Sequence, residues 1–128
     1  MKHIVIVEDE KRIRDLYTQF LKGQGYDVRS FDNAEDAYEY ISRNAPDLTL
    51  IDINMPGLLD GPDLHAAMDM FLNDFKVLVF SVLPVEEQKE RMPGAWGYFD
   101  KAWGLGKLRD ILAPLSDEYT GAFDTTDA

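Results

Sequence analysis

Leu48-Thr49-Leu50-Ile51-Asp52-Ile53-Asn54-Met55-Pro56-Gly57 runs a buried-looking strand straight into a carboxylate and then into a Pro-Gly loop. Three other stretches have the same form. Ile4-Val5-Ile6-Val7 runs into Glu8-Asp9, Val77-Leu78-Val79-Phe80 into Ser81, and Tyr98-Phe99 into Asp100-Lys101. Between them lie segments whose apolar residues recur at helical spacing. Strands alternating with helices argue for βαβ units and a parallel sheet. In a parallel sheet these strand ends share one edge, which gathers carboxylates, a hydroxyl and an ammonium. Such a cluster is costly unless its members share a task.

Outward from these strands the elements follow in order. The first strand is His3–Val7. Lys11–Gln24 is a helix with Ile13, Leu16, Tyr17, Phe20 and Leu21 on one face, stopped by Gly23 and Gly25. Tyr26–Phe31 is the second strand. Asp32 or Asn33 caps the next helix, with Ala34, Ala37, Tyr38 and Ile41 inward, and Pro46 closes it before the third strand, Leu48–Ile51. Asn54–Gly61 is a loop, and Pro62–Leu72 is a helix with Leu64, Ala67, Met68, Phe71 and Leu72 inward. Lys76–Ser81 is the fourth strand. A short, charged helix covers Val85–Met92, and Gly97–Asp100 is the fifth strand. Leu105–Leu115 closes the fold with Leu108, Ile111, Leu112 and Leu115 at core spacing. The predicted class is α/β: a doubly wound, five-stranded parallel sheet of flavodoxin-like order 2-1-3-4-5, with helices on both faces. Its first and third strands flank the topological switch point, where ligands bind beyond the carboxyl ends. Glu8, Asp9 and Asp52 stand at that point.

The 128 residues make one domain, expected over residues 1–115, with residues 116–128 a polar, acidic and flexible tail. No apolar run approaches the roughly 18 residues of a membrane span. Lys2 precedes a short apolar stretch, but Glu8-Asp9 interrupts it at once, against a signal peptide. The absence of cysteine excludes disulfide and thiolate chemistry, and a cytoplasmic setting is expected. The net charge of −11 sets the surface against nucleic acid and anionic membranes. It suits a cation cofactor and a partner with a basic or apolar docking face.

Carboxylates brought within about 5 Å repel by roughly 3 kcal/mol per pair at an effective dielectric near 20. A hard divalent cation relieves this, and Mg²⁺ takes oxygen ligands from one or two carboxylates plus phosphate oxygens. No His or Cys stands in the cluster, which argues against Zn²⁺. One carboxylate could then attack phosphorus and form an aspartyl phosphate. Such a transfer is mainly alignment and charge neutralisation, with Lys101 supplying charge and Ser81 a hydrogen bond.

With these residues in place, the chain resembles the receiver domain of two-component response regulators over about residues 2–115. The resemblance rests on Val5-Ile6-Val7-Glu8-Asp9-Glu10, on Leu50-Ile51-Asp52-Ile53-Asn54-Met55-Pro56-Gly57 with Asp60-Gly61, on Phe80-Ser81, and on Tyr98-Phe99-Asp100-Lys101. It implies that Asp52 is the phosphoacceptor and that Glu8 and Asp9 position Mg²⁺, with Asp52 and the Asn54 backbone carbonyl as further ligands. It implies that Ser81 and Lys101 bind the phosphoryl group and that Tyr98 is the switch aromatic. The implied donor is a phosphohistidine on a sensor histidine kinase or a histidine phosphotransfer protein. The implied output is a downstream protein partner, a missing output domain or a phosphorylation-dependent homodimer. Phosphorylation and dephosphorylation would be self-promoted, without steady enzymatic turnover.

The chain departs from the family pattern at several places. Met55-Pro56-Gly57-Leu58-Leu59-Asp60-Gly61 carries one residue more than the usual loop. Val82 replaces a small residue and is expected to restrict access to the phosphoryl group. Ala102 stands where the family has a proline after a cis bond. A non-proline cis bond costs about 3 kcal/mol, so a trans bond is expected. The fourth helix is expected to be stunted. The longer loop, Val82 and Ala102 give some weight to a rival, a pseudo-receiver that binds protein without phosphorylation. An aspartyl-phosphate phosphatase would need a second acid where Asn54 stands, and a flavin phosphate would be repelled by the carboxylates. Asp60 reads as a turn residue, Asp100 as ordinary surface, His3 and His65 as structural or solvent-facing, Trp96 and Trp103 as packing, and Glu86–Arg91 as a solvated helix face.

Overall fold

A computed structural model describes residues 2–115; the acidic tail expected at residues 116–128 lies outside the described residues. Strands β1 (His3–Val7), β2 (Asp27–Phe31), β3 (Leu48–Ile51), β4 (Val77–Ser81) and β5 (Gly97–Asp100) form one sheet in the order β2-β1-β3-β4-β5. Every pairing is parallel, as the alternation with helices predicts. Helices α1 (Lys11–Gly23), α2 (Ala34–Arg43), α3 (Gly61–Phe71), α4 (Val85–Arg91) and α5 (Leu105–Leu112) connect and follow them, with short 3₁₀ turns at Lys101–Trp103 and Ala113–Leu115.

Alternate strand residues face opposite sides, so each strand serves two cores. Ile4, Ile6, Leu48, Leu50, Leu78, Phe80 and Phe99 pack with Tyr17 and Leu21 of α1 and Leu108 and Leu112 of α5. Val5, Val7, Ile51, Val77 and Val79 pack with α2, α3 and Met92 on the other face. Burial on both faces explains why these strands read as continuous apolar runs. Not every predicted inward residue is covered. Leu16 is 50% exposed, and Tyr38 meets Phe71 edge-on across the α2–α3 surface while both stay partly in solvent.

The helix starts behind the site edge are fixed locally. Asn33, rather than Asp32, caps α2 by accepting the Asp36 N–H at 2.8 Å. Asp60 caps α3 in a reciprocal box with Asp63, which is the turn role expected of it. Gly61 then sits so close to the end of β3 that an added Cβ would overlap the Asp52 carbonyl oxygen and lie 2.9 Å from Ile53 Cα. Gly61→Ala is therefore expected to lose about 1–3 kcal/mol of stability by overpacking and to displace Asp52. Urea unfolding with and without Mg²⁺ checks this: the variant's midpoint is expected to fall, and any gain from the metal to shrink.

Candidate functional site

Glu8 and Asp52 leave the sheet from adjacent strands. The Glu8 N–H donates to the Phe31 carbonyl at 3.0 Å and the Asp52 N–H to the Val7 carbonyl at 3.1 Å, so the ladder holds both backbones past the strand ends. Glu8 is 1% and Asp52 8% exposed, whereas Asp9 faces solvent. Carboxylate oxygens of Glu8, Asp9 and Asp52 lie within 4.8 Å of one another. The sequence reading places all three here. It does not single out Arg14, whose guanidinium donates to the carbonyls of Glu8 at 3.0 Å and Asp9 at 3.2 Å and fixes the acidic loop. The available signal was a cation less than two helical turns beyond the acidic pair.

Lys101 crosses to this cluster from β5. Its Nζ donates to Glu8 Oε1 at 2.5 Å and to Asp52 Oδ2 at 3.2 Å, and sits 4.8 Å from the centre of the Phe80 ring. Glu8 Oε2 accepts the Glu10 N–H at 3.1 Å, so both oxygens of that carboxylate are held. One ammonium faces three carboxylates, and the Arg14 guanidinium nearby is bonded to backbone carbonyls, so negative charge stays in excess at the carboxylates. A divalent cation offsets that excess, and an all-oxygen donor set matches Mg²⁺.

The replacement of proline by Ala102 is absorbed locally. No peptide bond among the described residues is cis, as expected. Ala102 has an N–H that proline lacks, and Asp100 Oδ1 accepts it at 2.9 Å to open the 3₁₀ turn. Asp100 is thus a cap beside Lys101, rather than ordinary surface. The extra loop residue is absorbed as well. Gly57 adopts φ +99°, and a Cβ there would lie 2.7 Å from Glu35 Oε1. Glu35 accepts the Leu59 N–H at 2.8 Å and ties the longer loop to α2. That bond holds the Glu35 carboxyl below its ordinary pKa.

Ser81 is 1% exposed at the end of β4, and its Oγ accepts the Leu83 N–H at 3.1 Å. Val82 follows at 77% exposure on the rim. Asn54 is exposed in the loop just past Asp52. Tyr98 is half-buried; its O–H donates to the Met92 carbonyl at 2.6 Å and accepts the Ala95 N–H at 3.3 Å. The aromatic is therefore fastened to the end of α4 and not to the acidic cluster. Helix α4 has seven residues, short as expected.

Burial pushes the pKa of Glu8 above 4.5 and of Asp52 above 3.8, against the pull of Lys101. Burial pushes Lys101 down, but its bond to Glu8 and the charge of Asp52 outweigh this and raise it. An acid with a raised folded-state pKa holds its proton more tightly folded than unfolded. Its contribution is full below the unfolded value and is lost as pH rises through the folded one. Exposed paired acids such as Asp15 titrate in the opposite sense. In EDTA, the difference in unfolding temperature between the wild type and Glu8→Gln should therefore move against the wild type as pH rises through the raised range.

Comparison with known proteins agrees with this geometry. The family model for the response regulator receiver domain matches residues 4–113. Sporulation initiation phosphotransferase F of Bacillus subtilis is 28% identical over 113 residues, covering 85% of this chain and 89% of that protein. Regulatory protein VanRc of Enterococcus gallinarum is 42% identical over 55 residues, 43% of this chain and 24% of that protein. Response regulator TrrA of Thermotoga maritima, crystallised with Mg²⁺ and BeF, superposes with a TM-score of 0.81 at 26% identity, over 91% of this chain and all of that one. The receiver domain of a Pseudomonas aeruginosa sensor histidine kinase, with magnesium in its cleft, shares the fold at TM-score 0.80 and 21% identity, over 88% of this chain and 95% of that one.

Proposed function

The chain belongs to the response regulator receiver family, and from that premise we propose that it takes a phosphoryl group from a phosphohistidine onto Asp52 and thereby switches a protein-binding surface. The observation that carries this reading is Lys101 Nζ bridging Glu8 and Asp52 beside the Asp9 carboxylate. Glu8, Asp9, Asp52 and the Asn54 carbonyl would hold Mg²⁺, which when bound neutralises charge on phosphoryl oxygens. An Asp52 oxygen forms the new bond to phosphorus as the bond to the donor imidazole breaks. Lys101 turns from Asp52 to a phosphoryl oxygen, and the Ser81 O–H donates to another. The donor is a sensor histidine kinase or a histidine phosphotransfer protein, and the output is a protein partner, a linked output domain or a second copy of the chain. The domain promotes its own phosphorylation and hydrolysis without acting as a turnover enzyme. Among the described residues no helix is long and apolar enough to cross a membrane, which is compatible with a cytoplasmic setting.

The pseudo-receiver rival drew on the longer loop, Ala102 and Val82. Glu35 with Gly57 and the Asp100 cap accommodate the first two without moving Lys101 from the acidic pair, so the phosphoacceptor reading is preferred. The test is incubation with acetyl phosphate and Mg²⁺ followed by intact mass. One added phosphoryl group, lost again in hydroxylamine, is expected. An unchanged mass in Mg²⁺ would favour the rival.

A further inference from the structure

Among the described residues, the buried polar side chains are Glu8, Thr49, Asp52, Ser81 and Gln88. Three of these belong to the site just described. Gln88 lies in α4, inside the Glu86–Arg91 run whose composition reads as a solvated face, yet it is 0% exposed. Its Nε2 donates to the Leu83 carbonyl at 2.8 Å and to the Phe99 carbonyl at 3.0 Å. Both partners are acceptors, so only the amide nitrogen can face them. Its Oε1 is then left buried without a partner. A buried unpartnered acceptor is unfavourable, which implies that the two donated bonds fix the orientation.

Those two carbonyls belong to the backbones that carry the phosphoryl-gripping side chains. Leu83 lies two residues beyond Ser81 and donates its own N–H to Ser81 Oγ at 3.1 Å. Phe99 lies two residues before Lys101. The β4–β5 ladder ends at the pair Ser81 and Asp100, so no strand pairing joins the chains beyond that point. Gln88 ties Leu83, which lies past the last pair, back to Phe99, which the ladder still holds opposite Phe80. We propose that Gln88 is a positioning residue: by tying Leu83 to Phe99 it fixes the Ser81 hydroxyl relative to the Lys101 ammonium and so sets the affinity for the phosphoryl group. Its main effect is on phosphoryl binding, because the carboxylates of Glu8, Asp9 and Asp52 leave from β1 and β3 and the metal senses Gln88 only through Lys101, which contacts two of them. The inference rests on the phosphoacceptor reading above.

The test uses Gln88→Met and Gln88→Leu, which keep apolar bulk and remove both donors. BeF₃⁻ serves as the phosphoryl mimic, with fluorescence of Trp103, whose ring meets Phe99 edge-on at 5.5 Å, as the readout. Mg²⁺ affinity should not fall, and any rise from a loosened Lys101 should stay within about twofold. BeF₃⁻ affinity in saturating Mg²⁺ should fall about tenfold, or 1.4 kcal/mol. A filler role would lower the unfolding temperature and leave BeF₃⁻ affinity unchanged, which overturns the proposal. An equal fall in both affinities marks general damage and overturns it too. Should the wild type bind Mg²⁺ but not BeF₃⁻, the phosphoacceptor reading fails instead, and hydrogen exchange at the Leu83 amide decides the positioning claim. A rise of about tenfold beyond the change in global stability supports it; no change defeats it.

Discussion

Asp52→Asn is expected to take up no phosphoryl group from acetyl phosphate, yet in EDTA at neutral pH to unfold at a higher temperature than the wild type. The two outcomes share one cause. Asp52 is 8% exposed, and burial raises its carboxyl pKa in spite of Lys101. A raised folded-state pKa means that the ionised form opposes folding at neutral pH. Asparagine keeps the shape, removes that charge and leaves Lys101 to pair with Glu8 alone, at 2.5 Å. Stability rises for the same reason that chemistry stops: the amide is no longer a nucleophile. The stabilisation conferred by Mg²⁺ should also shrink. A single site at a hundredfold excess over Kd contributes about 2.7 kcal/mol, and one of the three clustered carboxylates is now a neutral amide. Paired unfolding curves in EDTA and Mg²⁺, with intact mass after acetyl phosphate, check all of this. Phosphoryl uptake that persists in Asp52→Asn would mean another acceptor. A variant less stable than the wild type in EDTA would mean that the carboxylate is structural.

The sheet and its acidic edge were legible because both are written in simple periods. Strands buried on both faces are continuous apolar runs, and the polar residue that ends each run marks the point where the chain leaves the core. Val7 into Glu8 and Ile51 into Asp52 needed nothing more. What the sequence concealed depends on side chains that act on the backbone of another element. Arg14 binds the carbonyls of Glu8 and Asp9, Glu35 binds the loop at Leu59, and Asp100 caps the turn opened by Ala102. Each is a charged residue next to another charged residue, Arg14 by Asp15, Glu35 by Asp36 and Asp100 by Lys101, where composition favours plain solvation. Gln88 is the sharper case. Charged neighbours surround it, and only the placement of α4 over β5 makes it a core residue. Tyr38 and Leu16 fail in the other direction. Their spacing is that of an inward face, but Leu16 is 50% and Tyr38 39% exposed.

Lys101→Met should lower stability and phosphorylation while raising Mg²⁺ affinity. Without divalent metal, the variant should be less stable by about 3 kcal/mol, the lower end for breaking a buried ion pair, because Asp52 keeps some access to water. The side chains of Lys101 and Glu8 are 13% and 1% exposed, so solvent cannot replace the lost ammonium at Glu8. That deficit should narrow as pH falls through the raised pKa values of Glu8 and Asp52, since a neutral carboxyl needs no counter-charge. Mg²⁺ affinity should increase, because the ion no longer competes with an ammonium bonded to both acids. Saturating Mg²⁺ should then restore most of the lost stability. Phosphorylation by acetyl phosphate should nevertheless fall about a hundredfold, the usual consequence of removing one preorganised donor from developing charge. Methionine preserves contact with the Phe80 ring, so packing alone predicts none of this pattern. If Mg²⁺ bound no more tightly and failed to rescue the fold, Lys101 would be a packing residue, and the charge balance among Glu8, Asp52 and the metal would have to be redrawn.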